Sequence, residues 1–278
     1  METEFAPAKI NLTLHITGQR PDGYHLVDSL VCFADAGDVV SAGLAEDLTL
    51  TVTGRYADAL GGTVENLVIR AARLLRSRRG AAITLDKRLP VASGIGGGSS
   101  DAAATLRMLA RLWGIPLPDP RRLQALGSDV PVCMARHGAR MSGTGGTLAP
   151  VFLPEAWIVL ANPGVSLPTP SVFRVLTERQ NPPMPAELPR FDTVQTLAGF
   201  LGAMRNDLET AAIGVAPVIG TVLAALQHQP GGLISRMTGS GATCFALFGS
   251  EAAAVRAAQE VQKSYPLWWV QCARMLRA

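Results

Sequence analysis

Residues 90–100 of the chain read PVASGIGGGSS and run directly into DAAATLRMLARLW. Four glycines fall within five residues: Gly94, Gly96, Gly97 and Gly98. Glycine permits positive φ and lets the backbone approach a ligand where a Cβ would intrude. A helix that begins just after such a loop turns its unpaired N–H groups and the positive end of its dipole towards whatever lies there. The combination is an anion site of the kind that binds phosphate. The helix has support of its own. Ala102, Leu106, Leu109, Ala110 and Trp113 recur at helical spacing, Arg107 and Arg111 fall on the other side, and Gly114 followed by Pro116 is a stop. Two familiar phosphate loops are excluded. A P-loop ends in Gly-Lys-Ser/Thr, whereas Gly98 is followed by Ser99, Ser100 and Asp101. A dinucleotide fingerprint follows a strand, whereas Pro90-Val91-Ala92-Ser93 is short and opens on proline. A phosphate loop of another kind remains, beside the plainer alternative of a flexible loop ahead of an ordinary helix.

A chain of 278 residues can hold one large domain or two small ones. Its net charge of +3 gives no reason to expect nucleic acid. Arg70, Arg73, Arg76, Arg78 and Arg79 read as the solvated face and end of a helix, because no aromatics interleave with them. The long apolar stretch 211–226 is shorter than a membrane span and is interrupted by Gly214, Pro217 and Gly220. METEFAPAKINL has an early acid and no apolar core of signal length, so a cytoplasmic protein is expected. Cys32, Cys133, Cys244 and Cys272 are scattered without a CxxC pair, and no two histidines stand at metal-ligand spacing; buried free thiols are expected and zinc is not.

Residues 10–16 and 48–52 alternate apolar and polar and are predicted as half-buried strands. Alternation would place Lys9 and Asn11 opposite Ile10, Leu12 and Leu14. A turn-rich loop spans 18–24, a helix 64–78, a short strand 83–85, and a turn with a helix cap sits at Gly127-Ser128-Asp129. Gly143, Gly145 and Gly146 form another turn. A strand at 157–160, a proline-rich loop at 181–189, helices near 194–204, 218–227 and 251–264, and strands at 243–248 and 267–276 complete the pattern. Strands and helices mix without a regular βαβ period, which predicts an α+β chain whose halves, 1–150 and 151–278, meet near residue 150.

Taken singly, the polar residues have ordinary readings. Lys9 at a strand edge is normally solvated, Asp129 is a preferred helix cap, and Thr238-Gly239-Ser240-Gly241 is either a second backbone cradle or a tight turn. Their order says more: a lysine on the first strand, the glycine loop, the GSDVP aspartate and a C-terminal TGSG turn. This order resembles the GHMP superfamily of small-molecule kinases, whose three motifs correspond to residues 6–12, 90–100 and 237–242. RPDGYH, GSDVPV, NPGVSLPTPSVF and RNDLE are similar to the branch acting on 4-diphosphocytidyl-2-C-methyl-D-erythritol; sugar and mevalonate kinases lack RPDGYH.

The resemblance implies a two-domain α+β architecture, with an N-terminal ribosomal-protein-S5-like domain, a C-terminal ferredoxin-like domain and an active site in the cleft. It implies a kinase of the non-mevalonate isoprenoid route that uses ATP with Mg2+ to phosphorylate the 2-hydroxyl of that small-molecule substrate. Lys9 and Asp129 match the catalytic pair, and Pro90, Val91, Ala92, Ser93, Gly94, Ile95, Gly96, Gly97, Gly98, Ser99 and Ser100 match the ATP-phosphate loop. Tyr24 and His25 match residues holding the cytidine, and Asn11 lies beside the reacting group, with Asp129 also contacting substrate. Ser99, Ser100 and Asp101 are candidate magnesium ligands. No nucleic-acid or membrane partner is expected, and monomer and homodimer both stay open. A homoserine or mevalonate kinase, or a nucleotide-binding regulator without turnover, would share parts of the pattern.

Overall fold

The computed structural model describes residues 1–60 and 66–276. In chain order the strands are β1 (Glu2–Asn11), β2 (His15–Gln19), β3 (His25–Ala45), β4 (Leu48–Thr53), β5 (Gly80–Asp86), β6 (Ala139–Gly143), β7 (Thr147–Pro150), β8 (Trp157–Asn162), β9 (Gly232–Met237), β10 (Cys244–Phe248) and β11 (Trp269–Arg274). The helices are α1 (Leu67–Leu74), α2 (Gly97–Trp113), α3 (Pro120–Leu126), α4 (Val130–Ala135), α5 (Thr169–Val175), α6 (Val194–Gly202), α7 (Glu209–Val215), α8 (Val218–Gln227) and α9 (Glu251–Ser264). The chain is α+β, with one mixed and one antiparallel sheet.

Two compact units interleave along the sequence: Met1–Ala8, Gly37–Val91 and Gly96–Arg136 form the first, and Lys9–Ala36, Ala92–Ile95 and His137–Ala278 the second. This partition differs from a single boundary near residue 150, because β1, β3 and the glycine-rich segment each pass from one unit to the other.

In the first unit, β4 runs parallel to β5, which pairs antiparallel with the end of β3 from Val39↔Asp86 to Ala45↔Gly80. Alternate residues of β4 are exposed and half-buried, as its period-2 pattern predicts. Ile83, Leu85, Val68, Ala104, Met108, Leu109 and Trp113 close the core beside this sheet. Each large apolar side chain fully buried there contributes about 1.5–3 kcal/mol. Helix α1 is shorter than expected: the Asn66 side chain caps it at Val68 N–H, it ends at Leu74, and Arg76 has left helical space at φ 55. Val64 and Glu65 of the predicted helix lie outside the described residues. Arg107, placed opposite the apolar side of α2, is nearly buried; Glu4 Oε1 accepts its Nε–H at 2.8 Å and the Cys133 carbonyl accepts Nη1–H at 2.9 Å.

In the second unit, the expected strand 10–16 is broken between β1 and β2. Leu12 and Thr13 N–H both turn to the Leu30 carbonyl, while Leu14 N–H donates to the Arg205 carbonyl at 2.9 Å. Nor is the segment half-buried; Lys9, Ile10, Asn11, Leu12 and Thr13 are all buried. The first part of β3 pairs with β2 and with β6, and β6 forms a hairpin with β7. The antiparallel sheet follows the order β11–β8–β10–β9. Helices α8 and α9 bury Ile219, Val222 and Leu226, and Ala254, Ala257 and Val261, in its core. Among the described residues no helix is long and apolar enough to cross a membrane.

Candidate active site

Of the glycine run, Gly97 and Gly98 open α2, whereas Gly94 and Gly96 stay in the loop ahead of it. Gly96 takes the N-cap position at φ 61, a left-handed conformation that costs a residue with a Cβ about 1–2 kcal/mol. The first helical bond runs from Ser100 N–H to the Gly96 carbonyl at 2.9 Å. The amides of Gly97, Gly98 and Ser99 therefore have no carbonyl one turn back, and two of the three carry no side chain. Three convergent N–H groups on a 17-residue helix suit phosphate oxygens.

The upstream half of the loop is held by the Thr238 hydroxyl, which opens the TGSG turn, by Thr243 just after that turn and by Lys9 on β1. Ser93 carbonyl accepts Thr243 N–H at 3.1 Å, Gly94 carbonyl accepts the Thr238 hydroxyl at 3.3 Å, and Ile95 carbonyl accepts Lys9 N–H at 3.0 Å. Gly94 has φ 78, and a Cβ there would stand 2.8 Å from Gly241 N and still closer to the Thr238 carbonyl. The turn is in its own right set by the RNDLE segment: Asn206 Nδ2 donates to the carbonyls of Met237 and Gly239 at 2.8 and 2.9 Å, and Glu209 accepts Met237 N–H at 2.9 Å. Ala92 adopts φ 49 without glycine's freedom.

Lys9 is only 3% exposed, which removes the solvated-edge reading. Asn11 donates its N–H to Thr238 Oγ1 at 2.9 Å and its Nδ2–H to Ser29 Oγ at 2.7 Å, leaving Oδ1 buried without a hydrogen-bond partner. Tyr24 is 65% exposed, whereas the His25 ring stacks on Phe173 with centroids 4.3 Å apart. Burial, and secondarily Arg179, push the His25 pKa down, favouring the neutral ring. Its Nε2 is buried without a partner. Phe173, which stacks on His25, is not among the residues singled out from the sequence; it is the aromatic closing NPGVSLPTPSVF.

Asp129 occupies the N-cap position of α4 at φ −89, ψ −11, but its side chain makes no bond to the first-turn amides. The expected cap is therefore not what holds it there. The segment runs beside the phosphate turn, since a Cβ on Gly127 would lie 3.8 Å from Ser99 Oγ. Lys9 and Asp129 belong to different compact units.

Of the three candidate magnesium ligands, two are engaged elsewhere. Ser100 Oγ donates to the Pro7 carbonyl at 2.6 Å and is fully buried. Asp101 Oδ2 accepts Lys87 Nζ at 2.7 Å, and Asp38 Oδ2 accepts the same ammonium at 2.5 Å. All three members of this cluster are buried, and burial raises the Asp101 pKa to about 7 against the pull of Lys87. Ser99, partly exposed in the first turn, remains. The Lys87 cluster gave no sequence signal, because its members lie 14 and 49 residues apart.

The family models for the GHMP kinases N terminal domain and the GHMP kinases C terminal match residues 66–140 and 186–267. A protein of Cereibacter sphaeroides named 4-diphosphocytidyl-2-C-methyl-D-erythritol kinase is 59% identical over 278 residues, covering 99% of this chain and 100% of its own length. The crystal structure of a 4-(cytidine 5'-diphospho)-2C-methyl-D-erythritol kinase superposes with a TM-score of 0.81 at 30% identity, covering 99% of this chain and all of that one. A homoserine kinase from Cytophaga hutchinsonii shares the fold alone, with a TM-score of 0.63 at 19% identity, covering 98% of this chain and 94% of its own. With the phosphate turn, the TGSG support and full-length identity in agreement, the chain belongs to the GHMP kinase family, in its 4-diphosphocytidyl-2-C-methyl-D-erythritol kinase branch.

Proposed function

We propose that the protein transfers the γ-phosphate of ATP to the 2-hydroxyl of 4-diphosphocytidyl-2-C-methyl-D-erythritol, giving the 2-phosphate and ADP in cytoplasmic isoprenoid precursor synthesis. The observation carrying this reading is the 59% identity to a protein of that name over 99% of this chain. In functional terms the chain divides into residues 1–150, with Lys9, the phosphate loop and Asp129, and 151–278, with the TGSG turn.

The amides of Gly97, Gly98 and Ser99 hold the phosphate oxygens of ATP. Magnesium would neutralise charge on the phosphates, and Ser99, partly exposed in the first turn of α2, would help to hold it. As the oxygen–phosphorus bond to the acceptor forms and the bond to ADP breaks, Asp129 takes the hydroxyl proton. The transition state is loose, so aiming the oxygen is the larger part of that role. Lys9 offsets negative charge on the transferring group. The Asn11 Oδ1 acceptor, lacking a protein partner, is available to a substrate donor. Tyr24, His25 and Phe173 receive the cytosine, a flat ring whose stacking on aromatics is worth about 1–3 kcal/mol.

ADP release with Mg2+ tests the reading against its rivals. Release is expected with 4-diphosphocytidyl-2-C-methylerythritol and not with homoserine or mevalonate; the reverse pattern would move the specificity to another branch, and ATP binding without turnover on any of them would favour a regulator. His25→Ala is expected to raise KM for the cytidyl substrate about tenfold while KM for ATP stays within twofold, the loss of about one stacking contact. Equal losses on both substrates in steady-state kinetics would remove His25 from the cytidine pocket.

A further inference from the structure

The first turn of α2 rests on a buried ion cluster. Lys87 Nζ lies 2.5 Å from Asp38 Oδ2 and 2.7 Å from Asp101 Oδ2, with Lys87 2% exposed. Asp38 uses its other oxygen to accept the N–H groups of Arg88 and Leu89 at 2.6 and 2.8 Å, the two residues that lead into Pro90. Asp101 stands on α2, immediately after the first turn. Lys87 thus joins the carboxylate that fixes the start of the phosphate loop to the carboxylate on the helix that ends it. A Cβ on Gly97 would lie 3.1 Å from Lys87 Nζ and 3.8 Å from Asp38 Oδ2, so the ammonium sits directly under the backbone of the phosphate turn.

Burying a lysine and two carboxylates is costly, and such a cluster is a poor way to gain stability alone. Its place is informative for a different reason. Without the lysine, two carboxylates would face each other beneath amides that must meet phosphate, and the loop would lose the cross-link between its ends.

We propose that Lys87 is a positioning residue: by clamping Asp38 to Asp101 it fixes the Gly97–Ser99 amides in the geometry that binds the phosphates of ATP. This rests on the kinase reading of the loop, but not on the identity of the acceptor. It touches no substrate atom, and acts through the turn above it.

The test is calorimetric binding of MgATP and of adenosine, without acceptor, to the full chain and to Lys87→Met. Lys87→Met is expected to weaken MgATP at least tenfold and to leave adenosine within twofold, because only the phosphates meet the turn. Lys87→Met/Asp101→Asn, which keeps the wild-type net charge of the cluster while losing the clamp, is expected to weaken MgATP to a similar degree; it carries the measurement if the single variant does not fold. MgATP affinity within twofold of wild type in a folded variant would overturn the proposal. So would an equal loss of adenosine, which marks a general structural role. Turnover on the wrong acceptor would overturn the specificity reading and leave this one intact, whereas wild-type protein that binds MgATP no better than adenosine would overturn both.

Discussion

Asp129→Asn is expected to lower kcat by about 10³-fold and to leave KM for ATP within about twofold, the range for removal of a positioned proton acceptor. Asparagine has the shape of aspartate but cannot take the proton, and its amide can turn a donor towards an oxygen that must itself give up a proton. The variant also isolates chemistry from folding. Asp129 does not bond the first-turn amides of α4, so the substitution removes no cap. Pro131 within the first turn keeps the helix start preset. The melting temperature should therefore stay within about 2–4 °C of wild type, no more than the shift for about 1 kcal/mol. Steady-state kinetics with saturating acceptor decide the matter. A kcat within tenfold of wild type would take Asp129 out of the proton transfer.

The second large effect is expected at Gly94, where alanine should abolish most activity through the backbone. Its φ of 78 lies in the left-handed region, and the added methyl would meet the Thr238 carbonyl and Gly241 N, neither of which is a flexible side chain. Conformational and steric costs together come to about 3 kcal/mol. For a chain this size that lowers the melting temperature by roughly 6–12 °C. The clash pushes apart the two turns that hold Ser93 and Gly94, so KM for ATP should also rise at least tenfold. A variant with wild-type melting temperature and KM would show that the two turns need not interlock. Alanine at position 92, already at φ 49, offers the internal comparison: Ala92→Gly removes a strained conformation and carries no such clash.

Some of this was legible in the chain. Strand β4 and helices α8 and α9 followed from apolar spacing, because each buries one face and exposes the other. The Ser250 hydroxyl, accepting Ala253 N–H, caps the start of α9. Gly114 ends α2 at φ 65 as its position suggested. Strand β3 was not legible. Its inner residues are buried on both faces, so it lacks alternation, and its polar members are satisfied only by distant partners: Asp28 by Arg140, Ser29 by the Thr13 carbonyl, Asp38 by Lys87. Lys9 and Asn11 read as the solvated side of a strand for the same reason, since no local pattern shows that a second layer covers them.

The site divides along the same line. Contiguous motifs could be read as candidates: the glycine loop, the TGSG turn and the DGYH pair. Residues joined only by the fold did not. Phe173 meets His25 across 148 positions, and Asn206 shapes a turn about 30 residues away, so neither contact leaves a spacing to read. Lys87 and Asp38 carry no signal in the sequence and Asp101 reads only as a candidate magnesium ligand, because burial is what makes the three a cluster.

The most direct test of the central claim is phosphorus and carbon NMR of the product formed from ATP, Mg2+ and 4-diphosphocytidyl-2-C-methylerythritol. One new phosphomonoester signal coupled to the tertiary carbon C2, with the diphosphate bridge intact and one ADP formed per product, is the predicted result. ADP formed with free inorganic phosphate, or a phosphomonoester on any other carbon, would contradict it.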